Sequence, residues 1–182
     1  LLKKIAPHAN IAKFQKKNKE IFYVAMGVSI IIMLLLLCFT KIARKVPLNY
    51  ILLFIFTAAE AYIVSTICAQ SKQPKYVLMA ATFTLGITFL LTLYACVTDT
   101  DFTQCSAILF CFSMIVLVMA IFLLFTKSKP LFIIVCSLSV LLFSIYIIYD
   151  TQLILMNKQY SLTTDDYIIA PVMLFADIIG LF

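Results

Sequence analysis

Tryptophan is absent from this 182-residue chain, glycine occurs three times and histidine once. Charge is scarce as well: 12% of residues are Asp, Glu, Lys or Arg, against about 25% in a soluble domain. So few polar groups cannot cover a water-facing surface. The lone histidine, His8, leaves no usable base for serine, cysteine or metal-assisted hydrolysis. No CxxC occurs, and the six cysteines (Cys38, Cys68, Cys96, Cys105, Cys111 and Cys136) lie in or beside apolar runs. A zinc site or a disulfide framework is therefore not expected, and the cysteines read as small buried hydrophobes. Lys and Arg number 14 against 8 acids, but no solvated basic face interleaved with aromatics exists, so no nucleic-acid partner is expected.

What is present is apolar. Hydrophobic residues make up 64% of the chain, and mean hydropathy is +1.12. A lipid bilayer is the solvent, and hence the partner, that such a chain requires. With tryptophan missing, 16 Phe and 9 Tyr must supply any interfacial aromatic belt. A helix crossing hydrocarbon needs about 20 apolar residues. The first such run is Ile21–Thr40, closed by the basic loop Lys41–Lys45, after which Pro47 opens the second, Leu48–Ala69. The third is Tyr76–Val97, followed by the acidic loop Asp99–Asp101, and the fourth is Gln104–Thr126. Pro130 opens the fifth, which continues to Asn157. A polar loop, Asn157–Asp166, then offers Ser161, Thr163, Thr164, Asp165 and Asp166 as caps for a last helix, Tyr167–Phe182. The predicted fold class is thus an all-α integral membrane protein with six transmembrane helices. Residues 1–20 form a basic amino-terminal segment and 21–182 a polytopic membrane domain. The segment begins with Leu1 and is too lysine-rich to be a secretory signal.

Three acids fall inside these runs: Glu60, Asp150 and Asp177. At membrane depth an acid costs about 2.5–3.5 kcal/mol on insertion scales, so each needs a reason. Asp150, in SIYIIYDTQLIL, and Asp177, in VMLFADIIGLF, have no basic neighbour at helical spacing. Their partners must come from other helices. One reading is a structural hydrogen bond within the bundle. The other is an interior pair lining an ion or proton path, where two close carboxyl groups share a proton and titrate as a unit. Glu60 is either a third acid of that path or an acid bonded across helices, with Thr57 and Tyr62 as hydroxyl candidates. Ala58, Ala59, Ala61, Ser65 and Thr66 suggest a tightly packed face on its helix. Pro171, one turn into the last helix, is expected to kink it.

Four segments carry a family resemblance: PLNYILLFIFT (Pro47–Thr57), LLTLYACVTDTDFT (Leu90–Thr103), FSIYIIYDTQLIL (Phe143–Leu155) and YSLTTDDYIIAPVMLFADIIGLF (Tyr160–Phe182). The order of a TDFT-like loop, a YDTQ helix end and a D-I-I…LF helix resembles the transmembrane Bax inhibitor motif family, in particular its Lifeguard and glutamate-receptor-associated branch. The resemblance implies a seven-helix bundle with the last helix central, of which this chain holds helices two to seven. It implies a cation leak, chiefly of calcium, from internal stores and suppression of cell death, with no cofactor beyond transient calcium. It further implies that Asp150 and Asp177 are the pH-sensitive pair, with Arg44, and next to it Lys41, as the basic latch. The chain departs from the family pattern at Phe175 (for Tyr), at Gly180 (for Asn), at Pro171, at Glu60, and at Met79 or Ala80, where some members carry an acid.

Two further readings stand beside the leak. One is a non-catalytic accessory subunit of a large membrane complex, with the protein partners that implies. The other is an intramembrane aspartyl protease. Those proteases carry GxGD at the second acid, whereas LFAD occurs here, so no enzyme activity is expected. The family places the chain in an endomembrane, the endoplasmic reticulum or Golgi, and the subunit reading in the mitochondrial inner membrane. Charge does not settle orientation. With six spans, one side carries ten basic residues and the other Lys41, Arg44, Lys45 and Lys158. That would put the amino terminus in the cytoplasm, opposite to the family's arrangement.

Overall fold

A computed structural model of the chain describes residues 19–71, 73–156 and 168–182. The basic segment before residue 19 and the cap candidates Ser161–Asp166 lie outside the described residues. The elements are α1 (Lys19–Cys38), α2 (Thr40–Ala43), α3 (Leu48–Gln70), α4 (Pro74–Val97), a 3-10 turn (Phe102–Cys105), α5 (Ser106–Thr126), α6 (Lys129–Met156) and α7 (Ile169–Leu181). Among the described residues every regular element is helical. Among the described residues, four helices are long and apolar enough to cross a membrane: α3, α4, α5 with the turn before it, and α6. α1 and α7 are shorter apolar helices.

The outer surface is unlike that of a water-soluble protein. Large apolar residues such as Phe54, Leu85 and Phe125 are exposed, at 75%, 68% and 80%. Ser29, Asn49, Thr66, Thr84, Asp150, Thr151, Gln152 and Asp177 are buried. Outward apolar groups and inward polar ones are what a hydrocarbon solvent selects, because it solvates the former and offers the latter no hydrogen bond.

The chain divides into two compact units, Leu1–Ala80 with Thr163–Val172, and Ala81–Leu162 with Met173–Phe182. In the first, α1 packs along α3, and α2 packs against both. The contact stripe of α1 is Ser29, Ile32 and Leu36, spaced by three and four residues as one helix face requires. The stripe of α3 is Asn49, Phe56, Ala59 and Thr66. Of the small residues expected on a packed face, only Ala59 and Thr66 are buried; Ala58, Ala61 and Ser65 are exposed. The reason is helical period, since positions 58, 61 and 65 form their own row, about 100° away from the buried stripe.

In the second unit α5 packs on α6, and the 3-10 turn packs on both. α5 contributes Leu109 and Val116, seven residues apart. α6 contributes Val135 and Leu142, and then a turn buried on nearly every side, with Ile147, Ile148, Asp150, Thr151 and Gln152 all inaccessible. The described cysteines depart from expectation. Cys96, Cys111 and Cys136 are exposed and Cys68 and Cys105 half-buried. A thiol costs little against lipid, so nothing drives it into the core.

α7 starts at Ile169, two residues later than its sequence suggested, and this changes the role of Pro171. As third residue of the helix, Pro171 lacks an N–H that would have no intrahelical partner in any case. The expected loss of an internal hydrogen bond, which was the ground for a kink, does not arise. Near its other end α7 presses on α6. A Cβ built at Gly180 would sit 2.5 Å from ring atoms of Phe143. Gly180→Val should therefore destabilise the chain by about 1–3 kcal/mol through overpacking. Phe143→Ala should recover part of that loss, with a coupling of about 0.5–3 kcal/mol in a double-mutant cycle read by thermal unfolding in detergent. Additive effects would show that ring and backbone do not meet.

The 3-10 turn is started by Asp101. Its Oδ1 accepts from the Thr103 amide at 2.9 Å and from the Thr103 hydroxyl at 2.5 Å, and its Oδ2 accepts from Gln104 Nε2 at 3.2 Å. The Thr103 hydroxyl, aided by Gln104 and the Thr103 amide, holds the Asp101 carboxyl below its ordinary value of 3.8. A depressed carboxylate pKa stabilises above the unfolded value and ceases to do so as pH falls through the folded one. The Thr103 amide resonance should thus stay constant from neutrality down past pH 3.8 and inflect only below it. Asp101→Asn should abolish the inflection. An inflection above that value in the parent would contradict the cap.

Candidate functional site

The buried turn of α6 gathers the groups that can do chemistry. Asp150 lies six residues before the end of α6, and Asp177 eight residues after the start of α7. At 1.5 Å per residue these are depths of about 9 and 12 Å along their helices. Asp177 lies beside Asp150 and, further along α7, Gly180 meets Phe143, which lies earlier in α6, so the two helices run in opposite directions. Antiparallel helices at matched depth bring the acids together. The two side chains lie within hydrogen-bonding reach of each other, and both are buried.

Each acid also keeps an unused atom. Asp150 Oδ1 and Asp177 Oδ2 are buried without a hydrogen-bond partner, as is the hydroxyl of Thr151. Elsewhere on α3 and α6 hydroxyls bond back to their own backbone: Thr57 to Leu53, Thr66 to Tyr62, Ser137 to Ile133 and Ser144 to Val140. Thr151 does not, and so its oxygen stays available beside Asp150. Two close carboxyl groups cannot both carry charge cheaply in such a place. The arrangement can hold one shared proton, or offer oxygens to a cation passing between the helices. Among the described residues no cluster of three or more His, Cys, Asp or Glu gathers into a metal cage.

On the next residue of the same turn sits Gln152, which has no exposed surface. Its Nε2 donates to the Thr100 carbonyl at 2.9 Å, and its Oε1 accepts from the Phe102 amide at 2.8 Å. The sequence placed Gln152 in the YDTQ segment but gave it no role. A glutamine in an apolar run next to an acid was the available signal, since a buried amide must find two kinds of partner.

Glu60 is placed differently. It belongs to the first unit, and the hydroxyl of Ser29 on α1 donates to its Oε1. Neither hydroxyl expected beside it is the donor. Thr57 bonds to the Leu53 carbonyl at 2.8 Å, and the Tyr62 hydroxyl is buried without a partner. The Ser29 bond is of the kind that one of the two readings of Glu60 expected, a bond across helices. Lys41 lies in α2 and Arg44 in the turn that follows, both in the first unit and both exposed.

The profile of the family described as "Inhibitor of apoptosis-promoting Bax1" matches residues 6–182. The human protein named Protein lifeguard 3 is 32% identical over 177 residues, covering 94% of this chain and 56% of that protein. Its mouse counterpart is 31% identical, over 94% of this chain and 57% of its own length. Mouse Protein lifeguard 4 is 35% identical over 136 residues, which is 75% of this chain and 55% of that protein. The chain thus spans little more than half the length of these curated relatives. No solved structure matches it. With the family match running through every described helix and both aspartates, the chain belongs to the Bax inhibitor (transmembrane Bax inhibitor motif) family of integral membrane proteins, on its lifeguard side.

Proposed function

We propose that this chain lets cations, chiefly calcium, leak across an endomembrane, and that the Asp150–Asp177 pair sets the leak according to pH. It would do so as a non-enzymatic regulator of ion balance and cell death. The observation that carries this reading is the pair itself: two buried carboxyl groups within hydrogen-bonding reach, each with an oxygen left unpartnered. A group buried only for stability would have its atoms satisfied.

With one proton shared, the two side chains hold α6 and α7 together. Loss of that proton places two negative charges side by side in a low-dielectric interior, and they separate. Separation opens α6 from α7 and presents four carboxylate oxygens and the Thr151 hydroxyl to a cation. The leak therefore rises as pH rises. Arg44, with Lys41 next, is assigned the latch on family resemblance. Six crossings, by the four long helices together with α1 and α7, complete the arrangement, and the short α7 is the helix that carries the second acid.

The test is calcium flux from proteoliposomes holding the full chain. One titrating proton changes an open-to-closed ratio by at most about tenfold per pH unit. The parent should show a rise approaching that limit across its transition. Asp150→Asn and Asp177→Asn should each remove the pH dependence, because an amide neither ionises nor shares a proton. Mutants that leak like the parent at every pH would end the reading.

A further inference from the structure

The loop between α4 and α5 is fastened to α6 by one side chain. The two bonds of Gln152 go to backbone groups on either side of Asp101, the Thr100 carbonyl and the Phe102 amide. A planar amide bonded at both ends fixes the position and the rotation of the loop, as one rung of an antiparallel ladder would. Phe102 is held a second time, its ring standing edge-on to Tyr94 of α4 with centroids 6.2 Å apart. Residues two apart on a helix point about 200° from one another. The loop thus grips one side of the turn by Gln152, while Asp177 meets Asp150 on the other.

We infer that Gln152 is a positioning residue, whose amide couples the Thr100–Phe102 loop to the helix turn bearing Asp150, so that loop and acid pair move together. This rests on the leak reading above and extends it to a part of the chain outside the spans. The physical ground is the cost of an orphaned amide. A buried donor or acceptor that loses its partner costs about 1–3 kcal/mol, so displacement of the α6 turn either carries the loop along or leaves Gln152 unsatisfied. The titratable or charged groups on elements around this turn are Asp177 on α7, Cys111 on α5, Cys105 in the 3-10 turn with Asp99 and Asp101 before it, and Tyr94 and Cys96 on α4. Tyr146 and Tyr149 precede it on α6. Asp99→Asn and Asp101→Asn serve to set the loop acids apart from the pair.

The experiment measures two quantities on the full chain: calcium flux against pH in proteoliposomes, and hydrogen exchange at the Phe102 amide in the same lipid. Gln152→Met keeps the length of the side chain and removes both bonds. It should speed Phe102 exchange by about tenfold or more, the loss of one buried hydrogen bond, and displace the midpoint of the flux profile by about one pH unit or more. Gln152→Glu keeps an oxygen for the Phe102 amide and should fall between parent and Gln152→Met; it carries the same comparison if Gln152→Met does not fold. In an Asp150→Asn background, Gln152→Met should leave the flux profile unchanged. Faster Phe102 exchange with a parental flux profile would reduce Gln152 to a structural anchor and overturn the coupling. A parent whose flux ignores pH would end the leak reading instead. The Phe102 amide of Asp177→Asn then decides the coupling, altered exchange upholding it and parental exchange overturning it.

Discussion

Hydrocarbon offers no hydrogen bond, so each polar group of a membrane helix must be satisfied by protein or stay bare. In this chain that constraint sorts the residues more finely than hydropathy does. Several hydroxyls meet it locally, by bonding to a carbonyl three or four residues earlier, as Thr57, Thr66, Ser113, Thr126, Ser137 and Ser144 do. Those residues need no neighbour and many face lipid. Ser29 meets it across helices, through Glu60, and so ties α1 to α3. Gln152 meets it with a loop. Asp150, Thr151 and Asp177 meet it incompletely, and they do so together at the end of α6.

The geometry of α6 explains why these three groups collect there. Its 28 residues span about 42 Å, more than the roughly 30 Å of a hydrocarbon core. The last turns thus reach toward the boundary, where α7 and the α4–α5 loop can close around them. Two successive helices, α5 and α6, return the chain to the side on which α4 ends. The bonds of Gln152 to Thr100 and Phe102 require this, because they join the end of α6 to the loop that follows α4. The buried turn is therefore a product of helix length and chain direction as much as of the residues on it.

Much of this was legible in the sequence. The helix ends follow the uncharged runs within a residue or two, because the alternation of long apolar segments with Lys, Asp and Pro punctuation is strong in a chain with 12% charged residues. The unusual acids were visible as costs at depth, and opposite helix directions with equal depth bring Asp150 to Asp177. The role of Gln152 was not legible, since nothing in one strand of text tells which loop returns beside it. The buried row on α3 was misread because small residues surround it on all sides, and only the partner helix selects Ala59 and Thr66 over Ala58, Ala61 and Ser65. The cysteines were misread by a habit formed in water, where exposure of an apolar thiol is unfavourable.

The same sequence signal, an acid in an apolar run, has two physical outcomes here, and the contrast bears on function. Glu60 is half-buried and has a donor, Ser29, on the helix packed against it. An acid so placed joins two helices and asks for nothing more. Asp150 and Asp177 are more deeply buried, face each other and keep oxygens bare. A buried polar pair of that kind is a poor device for stability, since apolar residues of similar volume commonly replace buried ionic groups at no loss or with a gain of about 1–4 kcal/mol. In the proposed leak its use is to switch between two states, proton held and proton lost. The pair sits between α6 and α7, where Gly180 permits close approach and a bonded loop lies on the opposite flank.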